Sequence, residues 1–189
     1  RTVRRLFVLF ATAFAHEIVC VSDRTQELMF VDTDVGTENV RVIHDGLPSP
    51  ERFESLPSGS KFRREVGVDD DDFLVVQVSK LISIKGQDAL VSAAEKLSGE
   101  HTDIHVAIVG GDVAGHEAYA NRLQSRVESL DMVTLVGFYR DITEPLAAAD
   151  AVVHVPEYED PFPGVVLEGM LAGCPVIASR TGGIPEQID

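Results

Sequence analysis

Asp160 and Glu168 are two carboxylates with seven residues between them. What lies between them gives the pair a possible chemistry. Residues 160–178 read DPFPGVVLEGMLAGCPVIA and follow an apolar run at 151–155 and an acidic loop at 156–160. Pro163 suits a helix start, where its missing N–H is one the first turn leaves unpaired. Gly173 suits the helix end, and Pro175 prevents continuation. The spacing therefore predicts strand, acidic loop, short helix and strand. A helix start offers unpaired amides and partial positive charge to an anion such as phosphate. Gly164 admits a ligand close to those amides, with Val165 the next amide in line. Gly164, Glu168 and Ala172 share one helix face. A carboxylate on that face can accept from two neighbouring hydroxyls, as on a ribose. Asp160, ahead of the helix, is expected on the far side of the phosphate, where a sugar would sit.

Cations of the opposite sign stand earlier in the chain. Lys80 and Lys85 flank a loop that leaves the apolar run 73–78, and two fixed cations five residues apart suit a diphosphate. Gly86 permits a tight turn into the next helix. Gly182-Gly183, before Pro185, is expected to bring further backbone amides near phosphate. Gly110-Gly111 does not form the G-x-G-x-x-G fingerprint, which argues against a nicotinamide-dependent enzyme.

These residues need elements to hold them. Short apolar runs at 73–78, 105–109, 133–136, 151–155 and 176–178 alternate with helical patterns at 61–66, 87–97, 116–130, 142–149 and after Pro163. That alternation predicts an α/β fold, a Rossmann-like parallel sheet with helices on both faces. Ligands in such sheets bind at the carboxyl ends of the strands. Lys80, Lys85, Gly110, Gly137, Asp160 and Gly182 all follow strand ends.

Upstream, 1–15 reads as a helix, 18–22 as a strand, 24–30 as a helix capped by Ser22 or Asp23, and 40–44 as a strand. Residues 47–60 hold three prolines and several serines and read as a connection. The expected organisation is 1–48 as the end of one domain with a hinge strand, 49–60 as linker, and 61–189 as a Rossmann-like domain. Lacking an initial Met and stopping within a helical pattern, the chain is expected to be part of something longer. Arg1, Arg4 and Arg5 before residues 6–15 imitate a signal peptide. The run is too short to span a bilayer, and a buried helix is the reading preferred.

Bulk composition narrows the function. Net charge is −15, which repels nucleic acid and anionic membrane. An acid-rich chain with only Lys61, Lys80, Lys85 and Lys96 as lysines is consistent with adaptation to high salt, whose expected signature is stability lost as salt is lowered. Cys20 and Cys174 are far apart in apolar surroundings, as for unbridged thiols in a reducing, cytoplasmic compartment. The six histidines are scattered, and no metal-ligand spacing appears. His154, beside the acidic loop, reads as structural.

Taken in order, Ser79-Lys80…Lys85-Gly86, Gly137, Asp160-Pro161-Phe162…Glu168-Gly169-Met170, Gly173-Cys174-Pro175-Val176 and Gly182-Gly183…Glu186 resemble the retaining GT-B glycosyltransferases of family 4. The likeness covers their carboxyl-terminal, nucleotide-sugar-binding domain from about Lys61 onward. Ser22 and residues 43–46 resemble the end of their amino-terminal domain and the hinge. The resemblance implies sugar transfer from a nucleotide diphosphate donor to a carbohydrate or lipid-linked acceptor, with configuration kept, without metal or cofactor. It places Lys80 and Lys85 on the diphosphate, Gly164 and Val165 amides on phosphate, Glu168 on the ribose, Asp160 at the donor sugar, and Gly137, Phe138 and Tyr139 along the base. It implies a cytoplasmic protein, peripheral to the membrane as a variant. Two positions depart from the family. Lys80 replaces an Arg and loses its bidentate fork. Asp160 replaces a Glu and falls short by about 1.5 Å, with Glu159 and Glu157 close enough in sequence to compensate. A non-catalytic nucleotide-binding module and an epimerase of the same fold are the competing readings.

Overall fold

The structure is a computed structural model that describes residues 2–33 and 35–188. Arg1, the first residue of the expected helix, lies outside them. The chain forms two compact units. One comprises Arg1–Gly46, Glu159–Gly164 and Arg180–Asp189; the other, larger, comprises Leu47–Tyr158 and Val165–Ser179.

The larger unit is built on five parallel strands: β3 (Phe73–Val78), β4 (Ile104–Val109), β5 (Val133–Gly137), β6 (Ala151–His154) and β7 (Val176–Ala178). Their spatial order is β5-β4-β3-β6-β7. Five helices belong to it: α3 (Ser60–Val66), α4 (Gln87–Leu97), α5 (Glu117–Val127), α6 (Thr143–Ala148) and α7 (Gly164–Leu171), whose first residue falls in the smaller unit. Because β4 is covered on both faces it is apolar from Val106 to Val109, and these side chains alternate between two cores. Val106 and Ile108 join Leu90, Val91 and Leu123 on one face. Ala107 and Val109 join Phe62, Leu74, Val76 and Ala148 on the other. Residues 47–60 belong to this unit and hold a 3-10 turn at Pro50–Phe53. The acidic turn at 69–72 is held by Arg63, whose guanidinium donates to the carbonyls of Asp69 and Asp72 and to Asp150.

The smaller unit contains α1 (Thr2–Phe14), β1 (Ile18–Cys20), α2 (Asp23–Phe30) and β2 (Val40–Val42), with β1 and β2 paired in parallel. Ser22 is the cap of α2: its Oγ accepts from the Thr25 N–H at 3.0 Å. The helix expected at the start forms, but it is not buried as expected. Val8 is enclosed, whereas Val3, Leu6, Phe7, Phe10 and Phe14 are exposed. The sequence of α1 is apolar around most of its circumference, and the short α2 it packs on covers one side. Among the described residues no helix is long and apolar enough to cross a membrane. Pro185 opens a 3-10 turn, Ile184–Glu186, where a helix was expected.

Candidate functional site

The order β5-β4-β3-β6-β7 reverses direction at β3, so the chain leaves β3 toward one side and returns through β6 on the other. Such a switch point opens a crevice at the carboxyl ends of the two strands. Here β3 ends in the loop that carries Lys80 and Lys85, and β6 ends in the loop that leads to α7. The two loops meet. Glu157 N–H donates to Ile84 O at 3.0 Å. A Cβ placed on Gly86, whose φ is +77°, would stand 1.8 Å from Val155 O. Only glycine lets the backbones approach so closely. Gly110 does the same on the other flank, where a Cβ would stand 1.7 Å from Ser79 O. Lys85 is half-buried at the end of a 3-10 turn, Ser83–Lys85, and Lys80 is exposed.

Glu168 lies in the second turn of α7, the helix that follows β6. Its neighbours Val166 and Gly169 face the sheet, where a Cβ on Gly169 would already crowd Val152 and Val176. Glu168 is half-buried, and among the described residues no donor hydrogen-bonds its carboxylate. Burial pushes its pKa above the usual carboxylate range, and the charge of Arg52 only partly offsets this. A raised folded-state pKa gives stability that is complete below the unfolded value and is lost as pH rises through the folded one. Glu168→Gln is therefore expected to be more stable than wild type at pH 7. The advantage should disappear below about pH 4, as followed by urea midpoints across pH. A variant no more stable at pH 7 would show that the carboxylate is already satisfied.

Gly137 ends β5 with φ +81°, and its carbonyl accepts the Gly110 N–H at 2.8 Å. Phe138 follows, 79% exposed, with its Cβ beside Gly111. Tyr139 turns back, its ring edge-on to Phe62 at 5.4 Å and its hydroxyl donating to Glu65 at 3.1 Å. A groove of about 500 Å³ runs along this loop, lined by Lys61, Glu65, Phe138, Tyr139, Arg140 and Glu144 among others. Its rim is polar, and one ring in it is fully presented.

Asp160, Gly182 and Gly183 come together within the smaller unit. Gly183 donates its N–H to Asp160 O at 2.9 Å, so that amide is occupied rather than offered to phosphate. Gly182 takes φ +60°, and a Cβ there would stand 2.1 Å from Asp160 O. A Cβ on Gly183 would stand 1.8 Å from Pro161 O. The two glycines thus let their own backbone lie directly on that of Asp160 and Pro161. Glu159 is gripped by Arg24, whose Nη2 and Nε donate to its two oxygens at 2.6 and 3.2 Å. Glu157 is exposed.

Three features escaped the reading of the sequence. Glu186 accepts the Asp23 and Arg24 N–H groups at 2.8 and 2.9 Å and the His44 ring at 3.0 Å, so it caps α2 from far along the chain. These donors hold its pKa below the usual range despite its burial. Asp23, His44 and Glu186 bring ligand atoms within 4.8 Å of one another although no metal-ligand spacing announces them. Both Glu186 oxygens are already spent on these donors. Finally, Gln77 and Gln87 are wholly buried beside the lysine loop. A polar residue inside the apolar run FLVVQV was the available signal for Gln77.

A family model described as glycosyl transferases group 1 matches residues 59–189. An uncharacterized glycosyltransferase of Methanocaldococcus jannaschii is 30% identical over 176 residues, 91% of this chain and 44% of that protein. The D-inositol 3-phosphate glycosyltransferase of Corynebacterium jeikeium is 29% identical over 181 residues, 91% of this chain and 43% of that protein. The chain thus spans less than half the length of these relatives. Among solved structures, Anabaena Alr3699/HepE in complex with UDP and glucose superposes with a TM-score of 0.86 at 30% identity, covering 100% of this chain and 51% of that one. The same protein in complex with UDP-glucose gives 0.85. Five parallel strands in this order, a family match over most of the chain, and likeness at this level lead to one conclusion: the chain belongs to the group 1 glycosyl transferases, retaining enzymes of GT-B fold, and its larger unit is their carboxyl-terminal domain.

Proposed function

We propose that this chain is the donor-binding part of a glycosyltransferase that moves a sugar from a nucleotide diphosphate to an acceptor hydroxyl with the anomeric configuration kept. The observation that carries this reading is the junction at the switch point, where Gly86 seats the Lys80–Lys85 loop against the end of β6. As the glycosidic bond breaks, the leaving diphosphate gains charge. Lys80, Lys85 and the amides of Gly164 and Val165 at the start of α7 stabilise that charge. Fixed cations and amides do the work of a divalent ion, so the reaction is metal-independent. Glu168 takes the ribose hydroxyls, which is the use of a carboxylate that accepts no hydrogen bond among the described residues. Asp160 faces the donor sugar. Glu159, its neighbour, is held by Arg24 through both oxygens. Gly137, Phe138 and Tyr139 line the base. Gly182 and Gly183 serve by holding the Asp160 backbone. The acceptor is a carbohydrate or a lipid-linked sugar. A nucleotide-sugar donor and two unbridged cysteines support a cytoplasmic site of action.

The test uses the complete protein. UDP and UDP-glucose are the first probes, since Alr3699/HepE was solved with both, followed by ADP and GDP. A ligand at a hundred times its Kd should add about 2.7 kcal/mol of stability. Release of the nucleoside diphosphate from the donor in the presence of EDTA is the expected activity. Stabilisation by none of the three diphosphates overturns the reading. Binding without turnover across an acceptor panel reduces the protein to a nucleotide-binding module.

A further inference from the structure

Gln77 and Gln87 are both 0% exposed, in a core whose other members are almost all apolar. Burying an amide costs free energy unless every polar atom finds a partner. Where the partners lie is therefore informative. Gln87, the first residue of α4, donates from Nε2 to Lys80 O at 2.8 Å and to Ser79 Oγ at 2.9 Å. Gln77, in β3, donates from Nε2 to Lys85 O at 2.9 Å, while its Oε1 is buried with no partner among the described residues. Each of the two lysines thus has its own main-chain carbonyl held by a separate buried glutamine.

The direction of the Gln87 amide is determined by its partners. Lys80 O can only accept, so the NH₂ end must face it. The carbonyl end then faces α5, where the buried Tyr119 hydroxyl donates to Oε1 at 2.9 Å. Tyr119 keeps that proton: burial, with Asp88 nearby, drives its pKa well above the ordinary tyrosine value. A chain of hydrogen bonds consequently runs from α5 through Gln87 to the backbone at Lys80. Tyr119 and Gln87 are buried, and Lys80, at the end of these hydrogen bonds, is exposed.

A surface loop needs no such anchoring to stay folded. Ile82 N–H already bonds Lys80 O at 2.9 Å, and Leu81 N–H bonds Gly111 O at 3.2 Å. Fixing the carbonyl of each lysine sets where its Cα stands and hence where its ammonium can reach. We propose that Gln87, oriented by Tyr119, and Gln77 are positioning residues that hold the two lysines at the spacing of a diphosphate. This rests on the reading that Lys80 and Lys85 bind the donor diphosphate.

The experiment compares a nucleoside diphosphate with its parent nucleoside on the complete protein, by calorimetry. UDP, ADP and GDP are tried, and the tightest is paired with uridine, adenosine or guanosine accordingly. Gln87→Met and Gln77→Met keep volume and remove the donors. Tyr119→Phe keeps the ring and removes only the hydroxyl, so it preserves the fold if the glutamine variants do not. Loss of one or two hydrogen bonds should weaken the diphosphate roughly tenfold in the glutamine variants and roughly threefold in Tyr119→Phe. The nucleoside should be unaffected within about twofold. Merely structural glutamines would lower the melting temperature and leave the ratio of the two affinities at its wild-type value, which overturns the inference. Equal weakening of both ligands overturns it as well. Lys85→Ala separates the two levels: if it loses the diphosphate while all three variants keep the wild-type ratio, only the positioning role fails. If wild type binds no diphosphate, the donor-site reading fails with it.

Discussion

Lys85→Ala lowers kcat of the complete enzyme on the order of 10²-fold, equivalent to about 3 kcal/mol in the barrier. The size follows from when the charge appears. Before bond breaking the diphosphate of a nucleotide sugar is esterified at both ends. As the sugar departs, one oxygen gains negative charge that only a pre-placed cation can meet without reorganisation. Lys85 is suited to that task because its backbone is fixed. It ends a 3-10 turn, its carbonyl is held by Gln77, and the next residue is wedged against β6. Since the interaction strengthens as the bond breaks, kcat should fall more than the donor KM rises. Steady-state rates on donor and acceptor check this. An unchanged kcat in a folded Lys85→Ala protein removes the lysine from the mechanism and takes the diphosphate assignment with it.

Gly86→Ala destabilises the larger unit by on the order of 3 kcal/mol, from two costs. A residue with a Cβ pays ~1–2 kcal/mol at this left-handed φ. Overpacking a tight contact costs ~1–3 kcal/mol more, and here the methyl would stand 1.8 Å from a main-chain oxygen that cannot rotate away. The loop after β6 and the lysine loop must separate to make room. Urea unfolding of the Gly86→Ala protein should show a lower midpoint at unchanged slope. Diphosphate affinity should fall with it, because Lys85 moves with its neighbour. Stability within about 0.5 kcal/mol of wild type would mean that the two loops do not press together as described. The contrast with Gly67 is a useful control. It also has positive φ, but nothing lies within 4 Å of a Cβ there, so an alanine should incur only the backbone cost.

Much of the architecture was legible in the chain. The alternation of apolar runs with 3.6-residue patterns predicted the parallel sheet, and the strand positions agree to within a residue or two. This succeeded because the central strands are covered on both faces, which leaves a mostly apolar signature such as FLVVQV or HVAIV. The helix at Gly164–Leu171 was bracketed by Pro163 and Gly173, whose backbone restrictions act locally. The ordered motifs, and the family they resemble, were also visible in the sequence.

Other features were decided only by the tertiary structure. The exposed face of α1 was one, since whether an apolar helix is covered depends on how much neighbouring surface the fold supplies. The reversal of strand order at β3, which makes the crevice, was another. So were the pairing of Arg24 with Glu159, 135 residues apart, and of Asp23 with Glu186, 163 apart. The sequence by itself determined which residue types stand at strand ends, because side-chain periodicity and backbone stereochemistry are properties of adjacent residues. Which of those ends meet, and which buried amide holds which carbonyl, depended on contacts between distant segments. Such contacts become favourable only once the cores on both faces of the sheet have closed.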